Sequence, residues 1–286
     1  GFWGGEAQVG KEVAETLHVS EATVSQDTQL AKALDKYPEL LQEESKTKAY
    51  KRYKQILNRE ALAVISKAIS GGEDLWMYNG DCREELKKVA AGSIGLVITD
   101  PPWGVGLFDI YESDLPSFND TQEKAFEVLE TILPRIYEVM KHDAHAYFFF
   151  GTKFYIRTFN LLSKLSWDVE PIPIIWVKPS APNTAPQARF AVNYETIFLC
   201  KKGHRSLYKP SFAALAFNVP TNKVHPTQKP IELMEHLIEV SSIPGEVVLD
   251  PFAGSGVVGK AALKLKRKTI LIEESEEIFN AMKVFV

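Results

Sequence analysis

The chain has 286 residues and a mass of 32.1 kDa, about two domains' worth of sequence or one large α/β domain with an appendage. With 45% hydrophobic and 24% charged residues it has the make-up of an ordinary globular protein, which excludes a mainly disordered, collagen-like or low-complexity chain, and it holds no apolar run of the roughly 18 residues a spanning helix needs. The net charge of −4, with a pI near 6.0, taken alone argues mildly against a polyanion as partner.

Residues 1–70 carry no strand-like run, and Val13, Ala14, Leu17, Val19, Val24 and Leu30 recur at roughly helical spacing. Charge is split within this segment: 3 basic against 9 acidic residues over 1–45, then 7 basic against 1 acidic over 46–70. Gly71-Gly72 is the expected boundary. Beyond it, short apolar runs alternate with helical stretches. Strands are expected at 75–78, 94–99, 144–150, 172–177, 194–200, 246–249 and 269–272, and helices at 121–140, 154–165, 231–241 and 257–265. Continuous apolar strands alternating with helices predict a doubly wound, mostly parallel α/β sheet covered on both faces.

Ligands of such a sheet bind beyond the carboxyl ends of its strands. Three segments fall there. Asp250-Pro251-Phe252-Ala253-Gly254-Ser255-Gly256 follows a strand and opens a helix, and its glycines permit a tight turn and close ligand approach. Glu273 ends the next strand, where a carboxylate suits ribose hydroxyls. Asp100-Pro101-Pro102-Trp103 closes another strand; its prolines hold acceptor carbonyls rigidly beside a flat aromatic, which suits a planar molecule bearing an amino group. His225-Pro226-Thr227-Gln228-Lys229-Pro230 leads into a helix, whose N-terminus is a ready anion site. Each segment alone also fits a plain structural turn, and His225 is read as structural. Cys82 and Cys200 lack disulfide-framework or metal-site spacing, so no metal is expected. A reducing, cytoplasmic setting is expected, since the start shows no charged stretch followed by an apolar one. It begins at Gly1 rather than Met, as a fragment or trimmed chain would.

In that order, these three motifs resemble the permuted β group of S-adenosylmethionine-dependent DNA amino-methyltransferases, which methylate adenine N6 or cytosine N4. The resemblance covers about residues 75–286 and extends to Asn79-Gly80-Asp81-Cys82 and to Tyr194-Glu195-Thr196-Ile197-Phe198 followed by Lys201-Lys202-Gly203. It implies a seven-stranded Rossmann-like sheet, circularly permuted, with S-adenosyl-L-methionine as cofactor and DNA as partner. By matching position, Asp250, Phe252, Ala253, Gly254, Ser255 and Gly256 would hold the cofactor's methionine part, and Glu273 its ribose. Asp81 would lie near its adenine ring, and Thr227 and Lys229 would meet its carboxylate. Asp100, Pro101, Pro102 and Trp103 would form the catalytic loop, with Asp100 also beside the cofactor. A target-recognition region is expected over about 104–224. Family usage of Asp-Pro-Pro with an aromatic favours adenine N6 in a flipped-out base; cytosine N4 and RNA adenine remain alternatives, as does a non-catalytic DNA-binding regulator. A homodimer is an oligomeric state the resemblance allows.

Lys11 to Leu30 resembles a helix-turn-helix, with Ser20 as cap of a second helix, although His18 stands where Gly is usual and Glu21 and Asp27 would oppose phosphates. The following stretch resembles ParB-like proteins, which would place a further piece upstream of Gly1. A helical packing module without DNA contact is the alternative. Residues 151–230 hold 11 basic and 3 acidic residues, so the acidic total averages a basic stretch with an acidic remainder. That stretch is where DNA is expected to lie.

Overall fold

The computed structural model describes residues 21–34, 36–54, 56–57, 73–102, 122–179, 190–221, 223, 225 and 227–286. The chain divides into two compact units, Gly1–Val64 and Ile65–Val286. The expected Gly71-Gly72 boundary and the first helix of the helix-turn-helix lie outside the described residues, as does Trp103.

In the first unit, α1 (Glu21–Ala33) is followed by a turn and a helical stretch over 46–54. Ala33, Tyr37 and Leu40 form a small core with Leu30, Leu34, Tyr53 and Ile56. Part of the basic run is neutralised locally: Lys46 pairs with Asp27 at 2.9 Å and Lys48 with Glu44 at 2.5 Å.

The second unit is built on one sheet. Its strands are β1 (Leu75–Asn79), β2 (Ile94–Thr99), β3 (Met140–Phe150), β4 (Asp168–Val169), β5 (Ile174–Val177), β6 (Tyr194–Lys202), β7 (Ala214–Ala216), β8 (Val247–Asp250) and β9 (Lys268–Glu273). The helices between them are α2 (Cys82–Glu85), α3 (Gln122–Val139), α4 (Tyr155–Ser163), α5 (Ile231–Ser241), α6 (Val257–Lys264) and α7 (Glu276–Phe285). The order across the sheet is β1-β9-β8-β2-β3-β6-β5-β7, with β4 paired to β6. Every antiparallel pairing among the described residues involves β6; the others are parallel. The seven strands legible in the sequence are all present. The two further strands, β4 and β7, are two and three residues long, too short to show an apolar period.

All six residues of β2 are buried, as befits a strand covered on both faces. Alternate residues feed two cores. Val97 joins Phe126, Leu129, Leu133 and Ile136 of α3 on one face, and Leu96 and Ile98 join Leu233, Leu237, Val258 and Ala261 of α5 and α6 on the other. The chain leaves β8 through α6 to β9 on one side, and β2 through α3 to β3 on the other. Connections therefore diverge between β8 and β2. That divergence leaves a crevice at the carboxyl ends of these neighbouring strands, the place where open α/β sheets bind ligands.

Candidate active site

Four strands in sheet order, β1, β9, β8 and β2, end on the same edge. They bring Asn79, Glu273, Asp250 and Asp100 to the crevice, the last one residue beyond β2. Adjacent strands lie about 4.8 Å apart, so three carboxylates stand in a row on neighbouring strands. Like charges on neighbouring strand ends repel, and two of the three are also buried. Asp250 is pushed up to about 7, first by burial and further by the charges of Asp100 and Glu273, against a 3.1 Å hydrogen bond from the Phe252 amide. Burial also raises Glu273, although its Oε2 accepts from the Gly254 amide and its Oε1 from the Ser275 amide, both at 2.9 Å.

The turn after β8 is shaped by its glycines. Gly254 has φ +50° and Gly256 φ +78°, both in the left-handed region. A Cβ on Gly254 would meet nothing nearer than His225 Nδ1 at 3.9 Å, so this backbone opens onto free space. On Gly256 it would lie 2.5 Å from Met282 Cγ and Val286 Cγ2, against α7. Ala253 and Ser255 are buried, and the Ala253 amide donates to the Ile272 carbonyl at 2.9 Å, which ties the turn to β9. Phe252 packs against the core on the α3 face.

Asp81 caps α2: its Oδ1 accepts from the Arg83 amide at 2.8 Å, and the Arg83 guanidinium holds its carboxyl below the usual range. Asn79 Nδ2 donates to the Glu273 and Glu274 carbonyls at 2.9 and 3.1 Å, and the Gly80 amide to Glu273 at 3.0 Å, so the Asp81 loop is pinned to the end of β9. Thr227 Oγ1 lies 3.0 Å from His225 Nδ1. Burial, with the Lys229 charge, lowers His225 to about 4, so the ring is neutral near pH 7.

Lys229 differs most from expectation. Its buried ammonium, expected at a cofactor carboxylate, is held by Asp100 Oδ2 at 2.5 Å and Glu195 Oε2 at 3.0 Å. These two anions outweigh the burial that would otherwise drive its proton off, and its pKa is raised. Glu195, at the start of β6, also accepts from Lys178 at 2.6 Å. Burial opposes its charge, but Lys229 and Lys178 overcome that and lower its pKa. Neither Glu195 nor Lys178 was given a role from sequence. The available signals are a carboxylate at the head of an apolar run and its place in the Tyr194–Phe198 stretch that matches the family. Pro101 is buried and Pro102 exposed.

Cys82 and Cys200 are buried thiols, the first pushed up to about 12 by burial and both acting as core side chains. Among the described residues no three His, Cys, Asp or Glu side chains gather as a metal site, and no helix is long and apolar enough to cross a membrane.

The sequence profile of the DNA methylase family that modifies N6 and N4 amino groups matches residues 94–221 and 208–284, which takes in the Asp100 loop, the Glu195 strand, Lys229 and the glycine turn. The chain belongs to this N6/N4 DNA methylase family. Among its methylase relatives are the type II methyltransferase M.HpaI of Haemophilus parainfluenzae, 30% identical over 69% of each chain, and the DNA adenine methyltransferase YhdJ of Escherichia coli, 26% identical over 72% of this chain and 81% of that one. The M1.HpyAVI structure, solved as a SAM complex, is 25% identical with a TM-score of 0.59, covering 73% of this chain and 98% of that one. The cytosine-N4-specific PvuII DNA methyltransferase shares the methylase fold, with a TM-score of 0.60 at 19% identity, over 74% of this chain and 86% of that one. The same fold thus carries a methylase of the cytosine class.

Proposed function

We propose that this DNA methylase transfers a methyl group from S-adenosyl-L-methionine to the N6 amine of an adenine flipped out of duplex DNA. The observation that carries the reading is the juxtaposition at the switch point. Asp100-Pro101-Pro102 at the end of β2, with Asp100 anchored by Lys229, stands one strand from the Asp250–Gly256 turn.

The crevice fits this cofactor chemically. Lys229 already serves Asp100; the buried Asp250 beside it suits a cationic amino group, and the space over Gly254 admits a ligand to the backbone. Asp250 would hold the amino group, the Gly254 turn the methionine backbone, and Glu273 the ribose hydroxyls, its oxygens already oriented by two amides. When bound, the cofactor supplies a methyl group on a sulfonium, electrophilic enough that no strong base need act before attack.

The chain's residues supply the rest. An exocyclic amine is a poor nucleophile because its lone pair is delocalised into the ring. The Asp100 carboxylate and the Pro101 carbonyl would accept its two N–H bonds and draw it toward tetrahedral geometry. Asp100 then stabilises the positive charge that develops on nitrogen and takes the proton. Holding nucleophile and methyl group in line accounts for much of the acceleration. Trp103 would stack on the flipped base. The preference for adenine rests on Asp100 heading the Pro-Pro loop.

The test is to incubate the chain with methyl-labelled cofactor and DNA or RNA, digest, and identify the modified nucleoside. N6-methyladenine from DNA is expected; N4-methylcytosine would move the assignment to the other base, and no label in any nucleic acid would refute catalysis. Asp100→Ala should abolish transfer while cofactor binding persists.

A further inference from the structure

We propose that Glu195 is a positioning residue for methyl transfer, acting on Asp100 through Lys229. Lys178, Glu195, Lys229 and Asp100 form a line of alternating charge: Lys178 Nζ to Glu195 Oε1 at 2.6 Å, Glu195 Oε2 to Lys229 Nζ at 3.0 Å, and Lys229 Nζ to Asp100 Oδ2 at 2.5 Å. The line runs from just beyond β5, through the first turn of β6 and the segment before α5, to the end of β2. Three separately placed pieces of chain thus bear on one carboxylate at the end of a fourth.

The geometry around Lys229 explains why a second anion is needed. Its ammonium is wedged between the two carboxylates, and the Phe149 ring lies 5.3 Å away. A buried lysine facing Asp100 alone would be drawn toward that anion, the only compensation for its lost hydration. Glu195 pulls from the other side and sets where the ammonium stops. Lys178 in turn keeps Glu195 in place, its own ammonium lying 4.9 Å over the buried Trp176 ring. Lys229 therefore engages Oδ2 from a fixed point, and the other oxygen, Oδ1, is presented to the substrate amine at a fixed angle. Misplacement of a reacting group by about 1 Å lowers rate by about 100-fold, so this anchoring is of catalytic consequence. Glu195 itself does not touch the reacting atoms in this scheme.

The proposal rests on Asp100 being the amine acceptor. In the test, kcat, KM for the cofactor and cofactor Kd are measured for wild type, Glu195→Gln, Glu195→Asp, Lys229→Met and the Glu195→Gln/Lys229→Met double variant. Glu195→Gln is expected to lower kcat by about tenfold or more, with KM and Kd within about twofold. Glu195→Asp, which keeps the charge, should recover part of that loss. In the Lys229→Met background, Glu195→Gln should remove less than about twofold more, because Glu195 acts only through Lys229. Additive losses, or equal losses for Gln and Asp, overturn the proposal. If Lys229→Met does not fold, the comparison of Gln with Asp decides. A wild-type chain that methylates no nucleic acid defeats the underlying reading; an active wild type matched by Glu195→Gln defeats this proposal alone.

Discussion

Gly254 and Gly256 share a positive φ and stand two residues apart, yet only Gly256 is also hemmed in by side chains. Gly254→Ala meets open space, so its stability loss is the left-handed strain alone, about 1–2 kcal/mol. Its methyl group would enter the cleft, and cofactor affinity is expected to fall at least about tenfold. Gly256→Ala adds a clash with Met282 and Val286, so its unfolding temperature should fall further than that of Gly254→Ala; thermal scans and calorimetric titration of the two variants check both outcomes. Asp250 gives a second prediction at this scale. With its pKa near 7, its proposed role at the cationic amino group needs it ionised, so cofactor Kd should rise by up to about tenfold per pH unit below about 7. Asp250→Asn should flatten that dependence. A carboxylate whose folded pKa is raised contributes stability below its ordinary pKa that is lost as pH rises through about 7. The ligand-free Asp250→Asn variant should therefore melt higher than wild type at pH 8, the reverse of its effect on binding. Motif and order pointed to both residues in the sequence. The sequence does not show which glycine faces open space and which faces a helix, because that depends on α7 folding back from beyond the next strand.

At the scale of elements, β3 and β6 hold the two halves of the sheet together. Phe148 faces Phe198 across the antiparallel ladder, and Phe150 stacks on Phe198 with ring centroids 4.1 Å apart. Phe198 is fully buried, and Phe198→Ala should lower the unfolding free energy by about 3–5 kcal/mol in urea titration. The same strand carries Glu195 as its second residue, so truncation at its centre should also loosen the charge line to Asp100. A kcat loss exceeding the loss in cofactor affinity is the expected accompaniment. β2 and the 144–150 part of β3 were legible because both faces are covered and the residues are nearly all apolar, whereas the polar Lys141-His142-Asp143 start of β3 was not. β4 and β7 were not, since their pairing with β6 and β5 is made by tertiary neighbours and not by local pattern.

At the scale of the whole molecule, charge is distributed differently from its sum along the chain. Residues 151–230 are strongly basic in sequence, but Lys178, Lys201, Arg205, Lys209 and Lys229 have carboxylate partners within the folded unit. Lys202 is also engaged, donating to the Tyr137 and Met140 carbonyls. The positive charge left for phosphates is accordingly smaller than the sequence count. Neutralising about two phosphates would still weaken DNA binding about tenfold between 50 and 200 mM salt. Fluorescence anisotropy with a duplex probe should show at least that decline; a flat response would refute an electrostatic DNA face.

The sequence by itself determined the fold class and the seven main strands, and it marked three loops at strand ends as candidates for chemistry. Apolar runs, proline and glycine act locally, and their order along the chain is that of the family. It also marked Asp100, Asp250 and Glu273 as residues of one site, because strand ends share an edge in a parallel sheet. Only the tertiary structure decided what each charge faces. Lys229 lies 129 residues from Asp100 in the chain, and Glu195 reaches Lys229 from another strand. Ion pairing at that separation depends on which strands become neighbours and on how little water remains between them. Neither is written in the local pattern of residues, and both decide that Lys229 anchors Asp100.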